Sequence, residues 1–122
     1  MFIGRFVLGV ACSAVALTCV ACGGSSSNTV APTPSADVTV SIEGQRGDQS
    51  YAPNPITIRV GQTLAWHNAD SAPHTATADT VGFNTGVLSA GVTSSPMTMA
   101  TAGTFTYHCT IHPNMSGTLI VQ

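Results

Sequence analysis

Three side chains that bind soft metal ions stand close together in one short stretch of the sequence. Cys109, His112 and Met115 are spaced Cys-x2-His-x2-Met, so a thiol, an imidazole and a thioether fall within seven residues. A tight loop between two strands can direct all three at one point, whereas a straight strand would send neighbours to opposite faces. These donors suit copper that cycles between Cu(I) and Cu(II). The spacing therefore predicts a copper site in this loop.

A second imidazole is needed to complete such a site, and the chain has four His. His108 precedes Cys109 in an alternating segment, so it points to the opposite face from the thiol. The same alternation turns His67 away from the face of its neighbour Trp66. Both are predicted to be surface His. His74, which follows a loop and begins a new segment 35 residues before the thiol, is the best candidate.

The elements that must position these residues are β-strands. From residue 37 onward, apolar residues recur with a period of two and none of the pattern resembles an amphipathic helix. The alternating sets are Val38, Val40 and Ile42; Ile56, Ile58 and Val60; Leu64 and Trp66; and Phe105, Tyr107 and Cys109. Gly, Pro, Asn and Asp separate them at intervals of roughly ten residues. We predict an all-β protein, a small antiparallel β-sandwich of seven or eight strands whose last strand is Thr118 to Val121.

Length and charge exclude several functions. A chain of 122 residues allows one domain of ordinary size and argues against an enzyme with an interdomain cleft. The only basic residues are three Arg, without any Lys, so no basic stripe is available for nucleic acid. Cys109 and His112 could superficially form a nucleophilic pair, but no orienting acid lies nearby in sequence. We expect a protein that is not an enzyme.

Residues 1–21 have the layout of an export signal. Arg5 supplies a positive start, and the apolar run from Phe6 to Val20 is too short for a transmembrane helix. The run ends in Val-Ala-Cys-Gly, which resembles the lipobox of bacterial lipoproteins and makes Cys22 the expected acylated residue. Cys19 is a second candidate for lipidation, and a plain secretory signal without lipid is the other alternative. The expected location is the periplasm or cell envelope, with the membrane contacted only through the lipid.

Residues 22–36 then form a flexible tether, because they contain no charge and no aromatic side chain. The folded domain is expected over residues 37–122. Cys12 and Cys19 leave with the signal and Cys22 carries the lipid, so only Cys109 stays in the domain. A single thiol has no disulfide partner, which leaves a metal ligand or a small buried side chain as its role.

The segment around Cys109 resembles the copper loop of the cupredoxin family, and most closely its amicyanin-like members, with plastocyanin-like features elsewhere. The matching segments, in chain order, are Pro53 to Ile58, Val60 to Trp66, Ala72 to Thr75, Phe83 to Leu88, Gly103 to Cys109 and Gly117 to Val121. The resemblance implies a Greek-key β-sandwich that holds one type 1 (blue) copper ion. It implies that His74, Cys109 and His112 are equatorial ligands, that Met115 is the axial ligand, and that His112 is the outward ligand through which electrons pass.

One departure from the family concerns Thr75, which stands where many relatives have Asn. In those relatives the Asn side chain ties the two ligand-bearing segments together. The Thr75 hydroxyl could make a shorter version of that bond.

The function implied is that of a small exported electron carrier, a monomer with transient redox protein partners. The alternative is a membrane-tethered copper-binding protein or chaperone without a carrier role. Met97 and Met99 invite this alternative, because Met-x-Met is a common Cu(I)-binding pattern. At a period of two, however, both face the same side of a strand, and we interpret them as core residues.

Overall fold

A computed structural model describes residues 32–122 of the protein. The predicted signal (residues 1–21), Cys22 and most of the predicted tether therefore lie outside the described residues. The elements in this part of the chain are β1 (Val38–Ile42), a 3₁₀ turn (Gly47–Gln49), β2 (Tyr51–Ala52), β3 (Ile56–Ile58), β4 (Thr63–Asn68), β5 (Thr77–Ala78), β6 (Met97–Thr98), β7 (Gly103–His108) and β8 (Ser116–Val121). Among these elements there is no helix long and apolar enough to cross a membrane. The predicted all-β fold is confirmed.

The strands form two four-stranded sheets. One has the order β2-β1-β4-β6 and the other the order β3-β8-β7-β5. Both sheets are mixed, because β1 pairs with β4 in parallel and β3 pairs with β8 in parallel. The expectation of a purely antiparallel sandwich was wrong for these two pairs. A period of two shows that a strand has one apolar face, but the direction of its partner depends on the path of the connections.

The core lies between the sheets and contains the side chains that the alternation placed inward. Val40, Ile42, Leu64, Trp66 and Tyr107 are all completely buried. The Trp66 ring packs edge-on against that of Tyr107, with 5.8 Å between ring centroids. Offset and edge-on aromatic pairs stabilise a core beyond the area that they bury.

Two apolar segments show where the alternation holds and where it stops. Val60, predicted to share an inner face with Ile58, is 48% exposed. Strand β3 ends at Ile58, and the chain turns at Gly61, whose φ of +89° suits glycine. By contrast, Met99 is buried and Met97 packs against the core, as predicted.

Strands β7 and β8 hold the predicted ligand loop between them. They pair antiparallel, and the last pair before the loop joins His108 to Ser116. The next pair along the strands joins Tyr107 to Gly117. These two residues are in very close contact, because a Cβ added at Gly117 would lie 2.3 Å from Cζ of Tyr107. The ring of Tyr107, a residue two positions before the thiol, therefore lies directly over Gly117.

Candidate metal centre

The loop of residues 109–115 is closed by its own backbone. The Cys109 N–H donates to the carbonyl of Met115 at 3.2 Å, and the Met115 N–H donates to the carbonyl of His112 at 3.0 Å. Cys109 and Met115 are completely buried, whereas His112 is half-buried. The loop thus turns its thiol and thioether residues inward and leaves the imidazole residue at the surface.

His74 reaches the same region from a distant part of the chain. It is completely buried, and its backbone exchanges two hydrogen bonds with Leu88, of 3.1 and 2.8 Å. Asn68, at the end of β4, fixes the preceding turn by donating from Nδ2 to the carbonyls of Ala72 and Leu88 at 2.7 and 2.9 Å. These bonds satisfy the buried amide and leave little freedom to the backbone that carries His74.

Three potential ligand atoms converge between the two segments. Nδ1 of His74 lies 3.1 Å from Nδ1 of His112, and each of these nitrogens lies 3.8 Å from Sγ of Cys109. The grouping of these three residues as a possible metal site follows from this convergence. Atoms with these separations surround a point about 2.1 Å from each of them, close to the roughly 2.0–2.3 Å bonds that imidazole and thiolate make to a metal.

The donor set also fits copper by its chemistry. Thiolate is a soft ligand that favours Cu(I), while imidazole binds both oxidation states of copper. The two Nδ1 atoms lie 3.1 Å apart, close enough for one metal ion to bind both imidazoles. Met115, buried at the end of the same loop, is the thioether residue available to this cluster.

Thr75 joins the two ligand-bearing segments. Its N–H donates to Sγ of Cys109 at 3.3 Å, and its hydroxyl oxygen accepts the N–H of Thr110 at 2.9 Å. The two threonine hydroxyls are also 3.2 Å apart. The short side chain therefore makes a bond between the segments, as the sequence suggested that it could.

The surroundings of Cys109 favour its thiolate. Burial opposes ionisation of the thiol, but the N–H of Thr75, the His74 side chain and the N–H groups of His112 and Ile111 outweigh it. Together they lower the pKa of Cys109 to about 6. A thiol that is ionised near neutral pH is ready to bind a metal ion, because the thiolate is the metal ligand.

Asp70 is a residue of the site that the sequence pattern did not reveal. Its Oδ2 lies 2.7 Å from Nε2 of His74, and this hydrogen bond, with one from the N–H of Ser71, lowers the pKa of Asp70. Asp70 lies in a loop, so it has no periodic signal. A carboxylate four residues before a candidate ligand His was the signal that could have pointed to it.

The other two His lie outside the cluster, as strand parity predicted. His67 contacts the hydroxyl of Thr93 at 2.8 Å. His108 is about one-third exposed and lies 2.5 Å from a carboxylate oxygen of Asp79. Neither side chain belongs to the group of converging ligand atoms.

A two-sheet β-sandwich with His, Cys and His atoms converging at one point defines a small mononuclear metal-binding protein. The family model described as "Cupredoxin-like domain" matches residues 11–121, and the chain belongs to this family.

The chain is similar in sequence and in structure to known proteins. The chain is 35% identical over 81 residues to amicyanin from Paracoccus denitrificans, covering 59% of this chain and 58% of that protein. It is 32% identical over 98 residues to plastocyanin from Scenedesmus fuscus, covering 70% of this chain and all of that protein. A solved Cu(I) form of an amicyanin variant superimposes with a TM-score of 0.62 at 29% identity, covering 75% of this chain and 88% of that one.

Proposed function

We propose that the protein is a type 1 copper electron carrier that holds one copper ion through His74, Cys109, His112 and Met115. The observation that carries the proposal is the convergence of Sγ of Cys109 with Nδ1 of both His on one point. When bound, copper supplies a one-electron couple between Cu(I) and Cu(II). The resemblance of the Cu(I) amicyanin structure supports the choice of metal.

The protein supplies all of the proposed ligands, which leaves no open position for a substrate. Catalytic metal sites usually keep such a position open, so this ligand set supports a carrier and not an enzyme. His112 is half-buried, while His74 is completely buried. We expect electrons to enter and leave through His112, beside the exposed side chain of Ile111, which is 41% accessible. Partners would be redox proteins that bind briefly at this surface.

The test is to add Cu(II) to the purified metal-free protein and to record the visible spectrum. We expect an intense blue thiolate-to-copper charge-transfer band that saturates at one equivalent. Cys109→Ser should abolish the band, and His74→Gln should weaken or abolish it. His67→Gln is the matched control, because it changes a His outside the cluster, and it should keep the full band. A folded wild-type protein that stays colourless would contradict the proposal.

The alternative of a copper chaperone predicts different behaviour. Met97 and Met99 do not favour it, because Met99 is buried and Met97 packs against the core. A carrier should exchange electrons rapidly between its Cu(I) and Cu(II) forms, which NMR line broadening in mixtures of the two forms measures. A chaperone should instead hand copper quickly to a Cu(I) chelator. Slow electron exchange with fast release would favour the alternative.

We further propose that residues 1–21 direct export, that Cys22 carries a lipid, and that residues 22–36 tether the domain of residues 37–122 to a membrane. The lipobox-like residues before Cys22 support this proposal. Mass spectrometry of the protein from its native envelope should show an acylated N-terminal Cys22. Cys22→Ser should release the protein from the membrane fraction, while Cys19→Ser should not. If membrane attachment were lost only in Cys19→Ser, the lipid would be assigned to Cys19 instead.

A further inference from the structure

Asp70 makes a direct contact with a proposed ligand. Its Oδ2 lies 2.7 Å from Nε2 of His74, while Nδ1 of the same ring faces Cys109 and His112. The His74 side chain is completely buried and that of Asp70 is 29% exposed. The carboxylate therefore lies on the far side of the imidazole ring from the ligand cluster.

The position of Asp70 is itself held by several contacts. Its second oxygen, Oδ1, accepts the N–H of Ser71 at 2.7 Å, and its own N–H donates to Oδ1 of Asn68 at 3.0 Å. Gly44 leaves room for it, because a Cβ at Gly44 would lie 3.1 Å from Oδ2 of Asp70. The carboxylate is therefore placed by its surroundings and is not a freely rotating surface group.

The chemistry of the contact assigns the proton on His74. An ionised carboxylate can only accept a hydrogen bond, so the 2.7 Å contact of Oδ2 with Nε2 of His74 needs a proton on Nε2. Nδ1 is then the ring nitrogen that faces the cluster. Carboxylates that bond the far nitrogen of a ligand His in this way orient the ring and increase its basicity toward the metal.

We propose that Asp70 is a positioning residue of the copper centre: it fixes the tautomer of His74, and its negative charge stabilises Cu(II) relative to Cu(I). This inference rests on the proposed function, since it assigns a redox role to a contact of the same site. A negative charge beside a ligand lowers the energy of the more highly charged metal state more than that of the other. Removing the charge should therefore raise the reduction potential.

Two substitutions separate orientation from charge. Asp70→Asn keeps an oxygen that can accept the Nε2 proton but removes the charge, whereas Asp70→Ala removes both. Asp79→Asn is the matched control, because Asp79 makes a similar contact with His108, which lies outside the cluster. All three changes remove one negative charge.

The first readout is nitrogen NMR of His74 in the metal-free full-length protein. We expect the Nε2–H tautomer in the wild type, in Asp70→Asn and in the control, and a mixture of tautomers in Asp70→Ala.

The second readout is the midpoint potential of the copper protein. The ratio of Cu(II) to Cu(I) affinity should fall about tenfold in both Asp70 variants, equivalent to a rise of about 59 mV for a one-electron couple. The control should keep the wild-type potential.

The outcomes are distinct. The role of Asp70 would be disproved if Asp70→Ala kept the wild-type tautomer of His74 and had the same midpoint potential as the control Asp79→Asn. If the potential rose in Asp70→Ala but not in Asp70→Asn, the effect of charge would be disproved. A wild-type protein that bound no copper would defeat the proposed function, and the tautomer of His74 in the metal-free variants would still decide whether Asp70 positions the ring.

Discussion

The N–H of Thr75 donates a hydrogen bond to Sγ of Cys109, and the hydroxyl of the same residue accepts the N–H of Thr110. Two bonds from one residue thus connect the segment that carries His74 to the segment that carries the thiol. The backbone N–H of Thr75 bonds the ligand atom, while its hydroxyl bonds the loop. A substitution of the side chain can therefore remove the bond to the loop and keep the bond to Sγ.

Thr75→Val should show the value of the side-chain bond. Valine keeps the branched shape and the backbone N–H but leaves the Thr110 N–H without its acceptor. We expect the free energy of unfolding to fall by about 1 kcal/mol, the typical net worth of such a bond. Urea denaturation measures the loss. Thr104→Val, at an exposed position of β7, is the control, and an equal effect in both variants would contradict the role of Thr75.

Gly117→Ala tests the close packing under Tyr107. The added methyl group would lie 2.3 Å from Cζ of Tyr107, so the ring or the strand must shift. We expect the free energy of unfolding to fall by about 1–3 kcal/mol, as for other overpacked cores. Because Tyr107 precedes the thiol by two residues, the copper band should also change. The exposed neighbour Ser116 supplies the control Ser116→Ala, which should alter neither property.

Asp37 should contribute to stability in a pH-dependent way. Hydrogen bonds from the N–H and hydroxyl of Thr63, both 2.8 Å long, lower the pKa of Asp37 below its ordinary value of 3.8. A lowered pKa means that the unfolded chain binds the proton first, so the contribution is complete above about pH 4 and is lost as the pH falls through the native pKa. Denaturation at several pH values measures this loss.

The matched variant for this experiment is Asp37→Asn. It cannot ionise, so its free energy of unfolding should fall less than that of the wild type when the solution is acidified from about pH 5 to pH 2. Parallel curves for the two proteins over this interval would show that the bonds to Thr63 do not depend on the charge of Asp37.

Copper should stabilise the folded protein by mass action. Ligands that converge in the native state are separated in the unfolded chain, because His74 and Cys109 are 35 residues apart. At a free metal concentration about a thousandfold above the dissociation constant, binding adds about 4 kcal/mol. Thermal unfolding with and without copper should show this gain in the wild type. Cys109→Ser should lose most of it, and a gain that survived in Cys109→Ser would point to a different metal site.

The sequence predicted the buried core more completely than the sheet pairing. Alternation correctly placed Trp66 and Tyr107 inside and left His67 and His108 out of the cluster. It could not show that β1 and β4 run in parallel, because a strand with one apolar face can accept a partner in either direction.

Loop residues were harder to predict for a related reason. Asn68 and Asp70 act through hydrogen bonds to particular backbone and side-chain atoms, and such contacts carry no periodic signal. The Cys-x2-His-x2-Met spacing was informative because all three side chains lie in one short loop, so sequence distance directly limits spatial distance. His74 was chosen by excluding His67 and His108 and by its position after a loop. Asp70 carried only a weaker signal, a carboxylate four residues before that His.

The parallel pairing of β3 with β8 has a consequence for the order of folding. Residues 56–58 find their partners at residues 119–121, so this pair closes a long stretch of chain. Closing a long stretch of chain costs conformational entropy, so pairs of this kind slow folding. The ligand loop immediately precedes β8, which means that a growing chain cannot complete this sheet before the ligand loop has been synthesised. Because the loop lies between β7 and β8, we expect tight copper binding only after these two strands have paired.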